Sequence, residues 1–459
     1  MIDCAELAEH GVIDAARMRA VDRNAVALGL SSLQMMEAAG AALARAALEE
    51  GPARVLVLTG RGNNGGDGLV AARYLAGAVE VAVVAVDGET TPETAAQAAL
   101  LARTPVPVHR VRCPSDLPAL DSLFGTADLI VDALLGVGAA PPLREPVTAI
   151  VREANVASAP ILAADVPTPG CRADRVLAFH RPKGPDAMVA PIGIPLEAEI
   201  CTGPGDLLAL APRRREAHKG EGGRVLVVGG GPYQGAPYLA GLAALRAGAD
   251  LVLVATPSPL PYPDAITIPI GENGWAGELD SLVAEAERAD AAVIGNGLGP
   301  EAAPVAQALA PYCRAAVLDA DALRLPLPVA RSTIYTPHAG EFARSFGTRP
   351  PDDLVGRGRA VRDAARDGVV LLKGPVDVVS DGERVRFNRT GTPAMTVGGT
   401  GDVLAGVTGA LLCRLPPFEA AVAAVYANGL AGEAAAGGRL SGLLASDMLT
   451  ALPEVLYGR

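Results

Sequence analysis

Short runs of β-branched and aliphatic residues recur along this chain without the polar–apolar alternation of a half-exposed sheet. In the first half they are "RVLVLTG", "VEVAVVAV", "ADLIVDALLG" and "PILAADVP"; in the second, "RVLVVGGG", "ADLVLVATP", "DAAVIGNGLGP", "AAVLDADALR", "STIYTPHAGE" and "VVLLKGP". A strand that is apolar on both faces has to be covered on both faces, and segments of helical length separate these runs. The chain therefore reads as two βαβ series, each a mostly parallel sheet between helical layers, an α/β fold of three-layer αβα type. One short pair, "DVVSDGERVRFN", reads as a hairpin turning at Asp381-Gly382, and the chain from Gly401 onward reads as helical. A length of 459 residues exceeds one ordinary core. The stretch "TGPGDLLALAPRRREAHKGEGG", dense in Pro, Gly and charge, puts a boundary near Ala211 to His218 and so predicts two domains, 1–211 and 212–459.

Aromatic residues are only 3% of the chain, so the cores must be built from aliphatic strands and small-residue helices. The six cysteines (Cys4, Cys113, Cys171, Cys201, Cys313, Cys413) are dispersed, with no CxxC pair, and are expected to be buried or partly buried free thiols. The N-terminal "MIDCAELAEHGVIDAARMRAVDRNA" carries charges throughout and suits neither a signal peptide nor a membrane span, so a cytoplasmic protein is expected. A net charge of −12 opposes non-specific binding to nucleic acid or to an anionic membrane. An anionic small ligand must then be held locally, by helix N-termini and glycine nests. Of the 39 basic residues only Lys183, Lys219 and Lys373 are lysines. Lys219 and Lys373, each beside a predicted strand, read as functional, and Lys183 in "RPKGPD" as a chance survivor on the surface.

Ligands of open α/β sheets gather at the carboxyl ends of the strands. In the first series those ends carry Asn63, Asn64 and Asp67 on the glycine-rich turn of "VLVLTGRGNNGGDGLVAARYL", Asp132 after "LIV", and Asp165 after "ILAA". Each aspartate alone could merely cap a turn; together they form an oxygen donor set suited to a hard cation rather than zinc. The turn is neither GxGxxG nor a P-loop. "GRGNNGGDGLVAARYL", with "VDALLGVG" and "DVPTPG" behind it, closely resembles the YjeF N-terminal domain, the NAD(P)HX epimerase, over most of residues 1 to 210. The resemblance implies a Rossmann-like fold in which two segments hold the hydrated nicotinamide nucleotide: Asn63, Asn64, Gly65, Gly66 and Asp67, and the loop Gly136, Val137, Gly138, Ala139, Ala140, Pro141 and Pro142. It also implies Asp165 as the catalytic residue at the reacting ring and a potassium ion on Asn64, Asp132 and Thr168. Where that family reads DxPSG, this chain has Asp165-Val166-Pro167-Thr168-Pro169-Gly170, and the loop that follows is cut down to "CRADRVLAF".

In "AMTVGGTGDVLAGVTGALL" the glycines Gly398, Gly399 and Gly401 precede a helix and put Asp402 in its first turn. Exposed N–H groups beside a carboxylate suit phosphoryl transfer, the donors stabilising the transferring group while Asp402 accepts a proton; the plainer role is to stabilise the helix dipole. "TPHAGE" follows a strand and sets His338 at the mouth of the sheet, where it could also cap the next helix, whereas His10, His109 and His180 read as ordinary. The chain here resembles the ribokinase-like fold and, within it, the YjeF C-terminal domain, the ADP-dependent NAD(P)HX dehydratase. The stretches "HKGEGGRVLVVGGGPYQGAPYLAGLAALRAGADLV", "GNGLG", "LDADALR", "TPHAGEF", "LLKGPVDVV" and "GTPAMTVGGTGDVLAGV" carry it, over nearly all of residues 215 to 459. It implies an adenine nucleotide at Lys373, Gly374, Pro375, Val376, Asp377 and Gly401, and the hydrated nicotinamide ring against Ala236, Gly297, Gly299, His338 and catalytic Asp402. Taken together, the two resemblances imply a fused repair enzyme that epimerises NADHX and NADPHX and dehydrates the S form, with magnesium on the ADP, releasing AMP and phosphate, as a homo-oligomer. The alternative is an ATP-dependent kinase for a small alcohol, joined to a binding module without catalysis.

Overall fold

The structure, a computed structural model, describes residues 5–211, 213, 215–216, 218–300 and 303–458. The chain divides into two compact units, His10–Ala198, and Glu199–Arg459 together with the N-terminal residues up to Glu9. The passage between units thus lies ahead of the stretch Ala211 to His218, in which Pro212, Arg214 and Ala217 are outside the described residues.

In the first unit, helices α1 (Ala15–Ala27) and α2 (Ser32–Glu49) precede β1 (Arg54–Thr59), α3 (Asn63–Leu75), β2 (Glu80–Val86), α4 (Pro92–Leu101), β3 (Val108–Val111), α5 (Asp121–Thr126), β4 (Leu129–Ala133), α6 (Val147–Val156), β5 (Ile161–Ala164), β6 (Arg175–Phe179) and β7 (Met188–Ala190). The sheet order is β3-β2-β1-β4-β5-β6-β7 and all pairings are parallel. The chain winds outward from β1 to one edge and then resumes on its other side with β4, so β1 and β4 flank the switch point, where the loops leave the sheet in opposite directions and open a crevice. Strands β4 and β5 are buried along their whole length, as their unbroken apolar runs require. The strands that sequence patterning passes over, β3, β6 and β7, lie at the sheet's flanks, where each run is short and partly exposed.

The second unit follows the short α7 (Glu197–Ile200) with β8 (Arg224–Val228), α8 (Ala236–Arg246), β9 (Leu251–Thr256), β10 (Ile266–Pro269), α9 (Gly274–Gly277), α10 (Leu279–Arg288), β11 (Ala291–Ile294), α11 (Ala303–Leu309), β12 (Ala316–Leu318), β13 (Thr333–Tyr335), α12 (Ala339–Phe346), α13 (Leu354–Ala364), β14 (Val369–Leu372), β15 (Asp377–Ser380), β16 (Val385–Asn388), α14 (Thr400–Leu412), α15 (Pro417–Ala436) and α16 (Ala445–Tyr457). Its sheet runs β10-β9-β8-β11-β12-β13-β14-β15-β16, parallel as far as β14 and antiparallel over the expected hairpin, whose Gly382 has φ +95°. The switch point falls between β8 and β11. With few aromatics to fill space, the helical layer relies on small residues packed close: a Cβ on Gly406 of α14 would lie 2.0 Å from the Ala240 carbonyl oxygen of α8.

Among the described cysteines, Cys201 and Cys313 are buried and Cys171 and Cys413 partly so, but Cys113 is exposed; Cys4 is outside the described residues. No single helix among the described residues is long and apolar enough to cross a membrane. The N-terminal segment is a working part of the second unit. Leu7 is buried against it, Glu6 pairs with Arg359, and Glu9 pairs with Arg386, whose side chain is only 2% exposed. Glu9→Gln would leave that guanidinium buried without its anion and should destabilise the second unit by roughly 2–4 kcal/mol, read as a lower thermal midpoint.

Candidate active sites

At the first switch point the chain is pressed together more closely than side chains allow. Helix α3 starts at Asn63, so Asn63, Asn64, Gly65, Gly66 and Asp67 form its first turns and do not stand on a glycine loop, as their composition suggested. The glycines are there for contact. A Cβ on Gly60 would lie 1.7 Å from the Leu134 carbonyl oxygen, one on Gly65 2.0 Å from that of Gly60, and one on Gly68 2.7 Å from Ala133. The end of β1, the start of α3 and the end of β4 thus share one backbone-lined corner, with α3 amide groups at its edge.

Asn64, Asp132 and Thr168 meet in that corner. The Thr168 hydroxyl donates to Asp132 Oδ1 at 2.7 Å, the Thr168 N–H to Oδ2 at 2.8 Å, and the Leu134 N–H to Oδ1 at 3.2 Å. The Leu135 N–H donates to Thr168 Oγ1, and the Leu135 carbonyl accepts from Asn64 Nδ2 at 3.1 Å. Asp132 is fully buried, and among the described residues no basic side chain bonds to it. Burial and the neighbouring Asp132 push the Cys171 thiol far above its ordinary range, so it stays protonated. Gly136 lies against Asn64, while Gly138 and Ala140 to Pro142 are exposed.

Asp165, just past the end of β5, has φ +65°, a left-handed conformation that costs a non-glycine residue energy and recurs at functional sites. Its Oδ1 accepts from the Phe179 N–H at 3.0 Å and lies 2.6 Å from Lys183 Nζ. Lys183 is therefore a buried partner of Asp165, not a surface survivor, and Lys219 is the lysine that stands exposed. Burial, reinforced by Asp165, pushes Asp22 up to about 6, and burial with Asp165 and Asp22 raises Asp67 well above the usual carboxylate range; Lys183 opposes both shifts. Sequence reading missed Asp22 and Lys183 here. Their signal was weak: Asp22 lies in an N-terminal helix far from the motifs, and Lys183 has the flanks of an ordinary turn.

In the second unit Gly399 (φ +99°) caps α14, so Gly401 is inside the helix rather than before it, and Asp402 completes the first turn as expected. Asn296, at the end of β11, donates through Nδ2 to Asp402 Oδ1 (2.7 Å) and to Asp319 Oδ2 (3.0 Å); Lys373 Nζ donates to Asp319 Oδ1 (2.7 Å). The Asn296 side-chain oxygen is buried without a hydrogen-bond partner. Burial pushes Asp402 up to about 7, with Asp319 adding to the shift and Asn296 and Lys373 opposing it. Burial alone would lower Lys373, but Asp319 and Glu341 outweigh it, so the ammonium stays charged against the start of α14, where a Cβ on Gly401 would be 3.4 Å from it. Asn296 and Asp319 were legible within "GNGLG" and "LDADALR" by the strand-end rule that singled out Asp132 and Asp165.

Gly297 (φ +68°) and Gly299 (φ +81°) form the turn beyond β11, so close to α8 that a Cβ on Gly297 would lie 2.4 Å from the Tyr233 carbonyl oxygen and 3.0 Å from Ala236 Cβ. His338 does cap α12: its Nδ1 accepts from the Gly340 and Glu341 N–H groups, with 56% of the side chain open to solvent. The backbone of Lys373 bridges to it. Gly374 and Pro375 are exposed, Val376 is half-buried, and Asp377 turns inward, accepting from the Gly374 N–H and from Asn388, with burial pushing it up to about 6. An apolar cavity of 850 Å³, lined by Trp275, Leu298 and Pro304 among others, adjoins Gly299.

The family model for the YjeF-related protein N-terminus matches residues 32–177, and that for NAD(P)H-hydrate dehydratase matches residues 225–454. The bifunctional NAD(P)H-hydrate repair enzyme Nnr of Methanospirillum hungatei is 52% identical over 99% of this chain and 95% of its own. The chain belongs to the bifunctional NAD(P)H-hydrate repair enzyme family. The Pyrobaculum aerophilum member is 43% identical over 97% of this chain and 98% of its own. Among solved structures, the Bacillus subtilis ADP/ATP-dependent NAD(P)H-hydrate dehydratase co-crystallised with ATP/Mg2+ is 31% identical over 55% of this chain and 95% of its own, with a TM-score of 0.48. As a repair enzyme the chain joins an epimerase to an ADP-dependent dehydratase, an isomerase and a lyase in one polypeptide.

The raised Asp402 has a consequence for stability. Titrating near 7 in the fold and near 4 when unfolded, it binds its proton more tightly in the native state, so its contribution is fully present below about pH 4 and is lost as pH rises to about 7. Asp402→Asn, which can keep the Asn296 bond and carries no charge, should therefore raise the thermal midpoint at pH 8 by about 2–4 °C and leave it nearly unchanged at pH 4.

Proposed function

We propose that the first unit interconverts the R and S epimers of NADHX and NADPHX at Asp165, and that the second restores NAD(P)H from the S form at Asp402, with ADP as phosphoryl donor. The observation that carries the reading is the bonded row Lys373–Asp319–Asn296–Asp402 at the start of α14. It pairs a helix N-terminus and a charged lysine, suited to a transferring phosphoryl group, with a carboxylate whose proton affinity is tuned to neutral pH. Asp402 takes the proton of the ring hydroxyl, whose oxygen attacks the β-phosphorus of ADP as the bond to AMP breaks. Phosphate then leaves from the ring carbon, driven by the ring nitrogen's electron pair, and loss of a proton from the adjacent carbon completes the double bond. Lys373, Gly374, Pro375, Val376, Asp377 and Gly401 receive the nucleotide; Ala236, Gly297, Gly299 and His338 receive the ring.

Magnesium would enter on the ADP diphosphate and would neutralise phosphate charge there. The corner of Asn64, Asp132 and Thr168 fits potassium: its donors are oxygens, and its one buried carboxylate has no basic partner among the described residues. There potassium would supply positive charge for the nucleotide held by Asn63 to Asp67 and Gly136 to Pro142. The same reading carries a homo-oligomer at work in the cytoplasm.

Absorbance at 340 nm with purified protein, mixed NADHX epimers, magnesium and potassium tests this directly. Rapid recovery of NADH from both epimers with ADP is expected, and no recovery with any nucleotide would overturn it. The rate of S conversion should rise with pH to half its maximum near 7, and Asp402→Asn should lower it by about 10²–10⁴-fold. Replacing potassium by a tetraalkylammonium ion should slow R conversion alone, and Thr168→Val should remove that dependence.

A further inference from the structure

The first unit buries a lysine to which the reading above gives no part. The Lys183 side chain is 5% exposed, and its ammonium contacts Asp165 Oδ1 and donates to the Phe179 carbonyl. The Phe179 N–H donates to the same Asp165 oxygen, so the carboxylate is held from two directions by one residue of β6 and the lysine bonded to it. Asp165 reaches this clamp from a left-handed backbone conformation, which the surrounding contacts must stabilise. A compact ammonium can serve a carboxylate and a carbonyl at once from within a buried pocket, whereas a planar guanidinium would demand a wider cradle. In a chain that otherwise uses arginine almost exclusively, that difference gives the lysine a reason.

The groups electrostatically coupled here come from several elements: Asp22 of α1, Asp67 of α3, Asp165 beyond β5, and His180 and Lys183 beyond β6. Three carboxyl groups here share the field of one ammonium, and gathering like charges in a buried place is costly. The ammonium is bonded to Asp165, and Asp22 and Asp67 are the two whose proton affinity is raised.

We propose that Lys183 is the positioning residue of the epimerase, holding the Asp165 carboxylate fixed as the base, with a carboxyl of the same cluster serving as acid. The proposal rests on Asp165 being the catalytic residue. Inversion at the hydrated carbon uses both groups. The ring nitrogen's electron pair forms a C=N bond as the C–O bond breaks, and the acid's proton leaves with the hydroxyl as water. Water then adds to the opposite face, the C=N pair returns to nitrogen, and the base takes the released proton, which passes back to the acid.

The test uses the full chain with ADP and magnesium, supplied with R-enriched NADHX, so that R conversion above the uncatalysed interconversion reports the epimerase. Conversion of S epimer, which does not pass through this unit, reports that the protein is intact. Lys183→Met is expected to lower kcat for R conversion by about 100-fold while changing KM by less than about threefold, and to move the acid limb of the pH–rate profile to higher pH. Lys183→Arg should recover about tenfold of the loss, with the limb moved part of the way back. An unchanged rate, or a loss that only follows the folded fraction at an unchanged pH profile, would overturn the proposal. If Lys183→Met does not fold, the Lys183→Arg profile decides, wild-type shape and rate counting against the role. Asp165→Asn separates the two layers: full R conversion in that variant sinks the Asp165 reading itself, whereas its loss beside a wild-type Lys183→Met sinks only the lysine's part.

Discussion

Where a strand ends and the next helix begins, this protein brings backbone against backbone with no side chain between. At the first switch point Gly60 meets the Leu134 carbonyl and Gly65 meets Gly60; at the second, a Cβ on Gly229 would lie 2.3 Å from the Asn296 carbonyl oxygen. The polar residues depend on that closeness. Asn64 can reach Leu135, and Thr168 can close on Asp132, because the corner between β1, α3 and β4 is collapsed onto its main chain. Asn296 can bridge Asp319 and Asp402 because the Gly297–Gly299 turn seats β11 against the start of α8. Any methyl group at these glycines displaces the strand ends, and with them the donors and acceptors of both proposed sites.

The second constraint is charge held away from water. Asp132 is fully buried with N–H, O–H and S–H partners and no basic side chain bonded to it among the described residues, Asp402 is raised to neutral pH, and several carboxyl groups gather around Lys183. Burial of this kind lowers stability and is tolerated where chemistry requires it. It takes different forms in the two units. In the second, a carboxylate, an amide, a second carboxylate and a lysine stand in a row, and Asp402 keeps a raised proton affinity while positive charge remains near the helix start. In the first, a lysine is bonded to Asp165, while burial and the neighbouring carboxylates raise the proton affinity of Asp22 and Asp67.

What could be read from residues alone was whatever depends on local pattern. Unbroken apolar runs announced two parallel sheets because a strand buried on both faces has no polar face to show, and the strand-end aspartates followed from how open α/β sheets expose their carboxyl ends. The edge strands β3, β7 and β10, and β6 beside β7, escaped, since a short, partly exposed strand carries little pattern. The long motifs were specific enough to point to the family.

Tertiary structure decided what pattern cannot carry. It turned the asparagine–glycine loop into the first turns of a helix, because glycine there answers to a neighbouring carbonyl, not to local backbone preference. It drew the N-terminal residues into the second unit through Leu7, Glu6 and Glu9, contacts that span more than three hundred residues of sequence. And it made Lys183 rather than Lys219 the buried lysine, since whether an ammonium is a solvated surface charge or a clamp on a carboxylate depends on burial and on partners that only folding supplies.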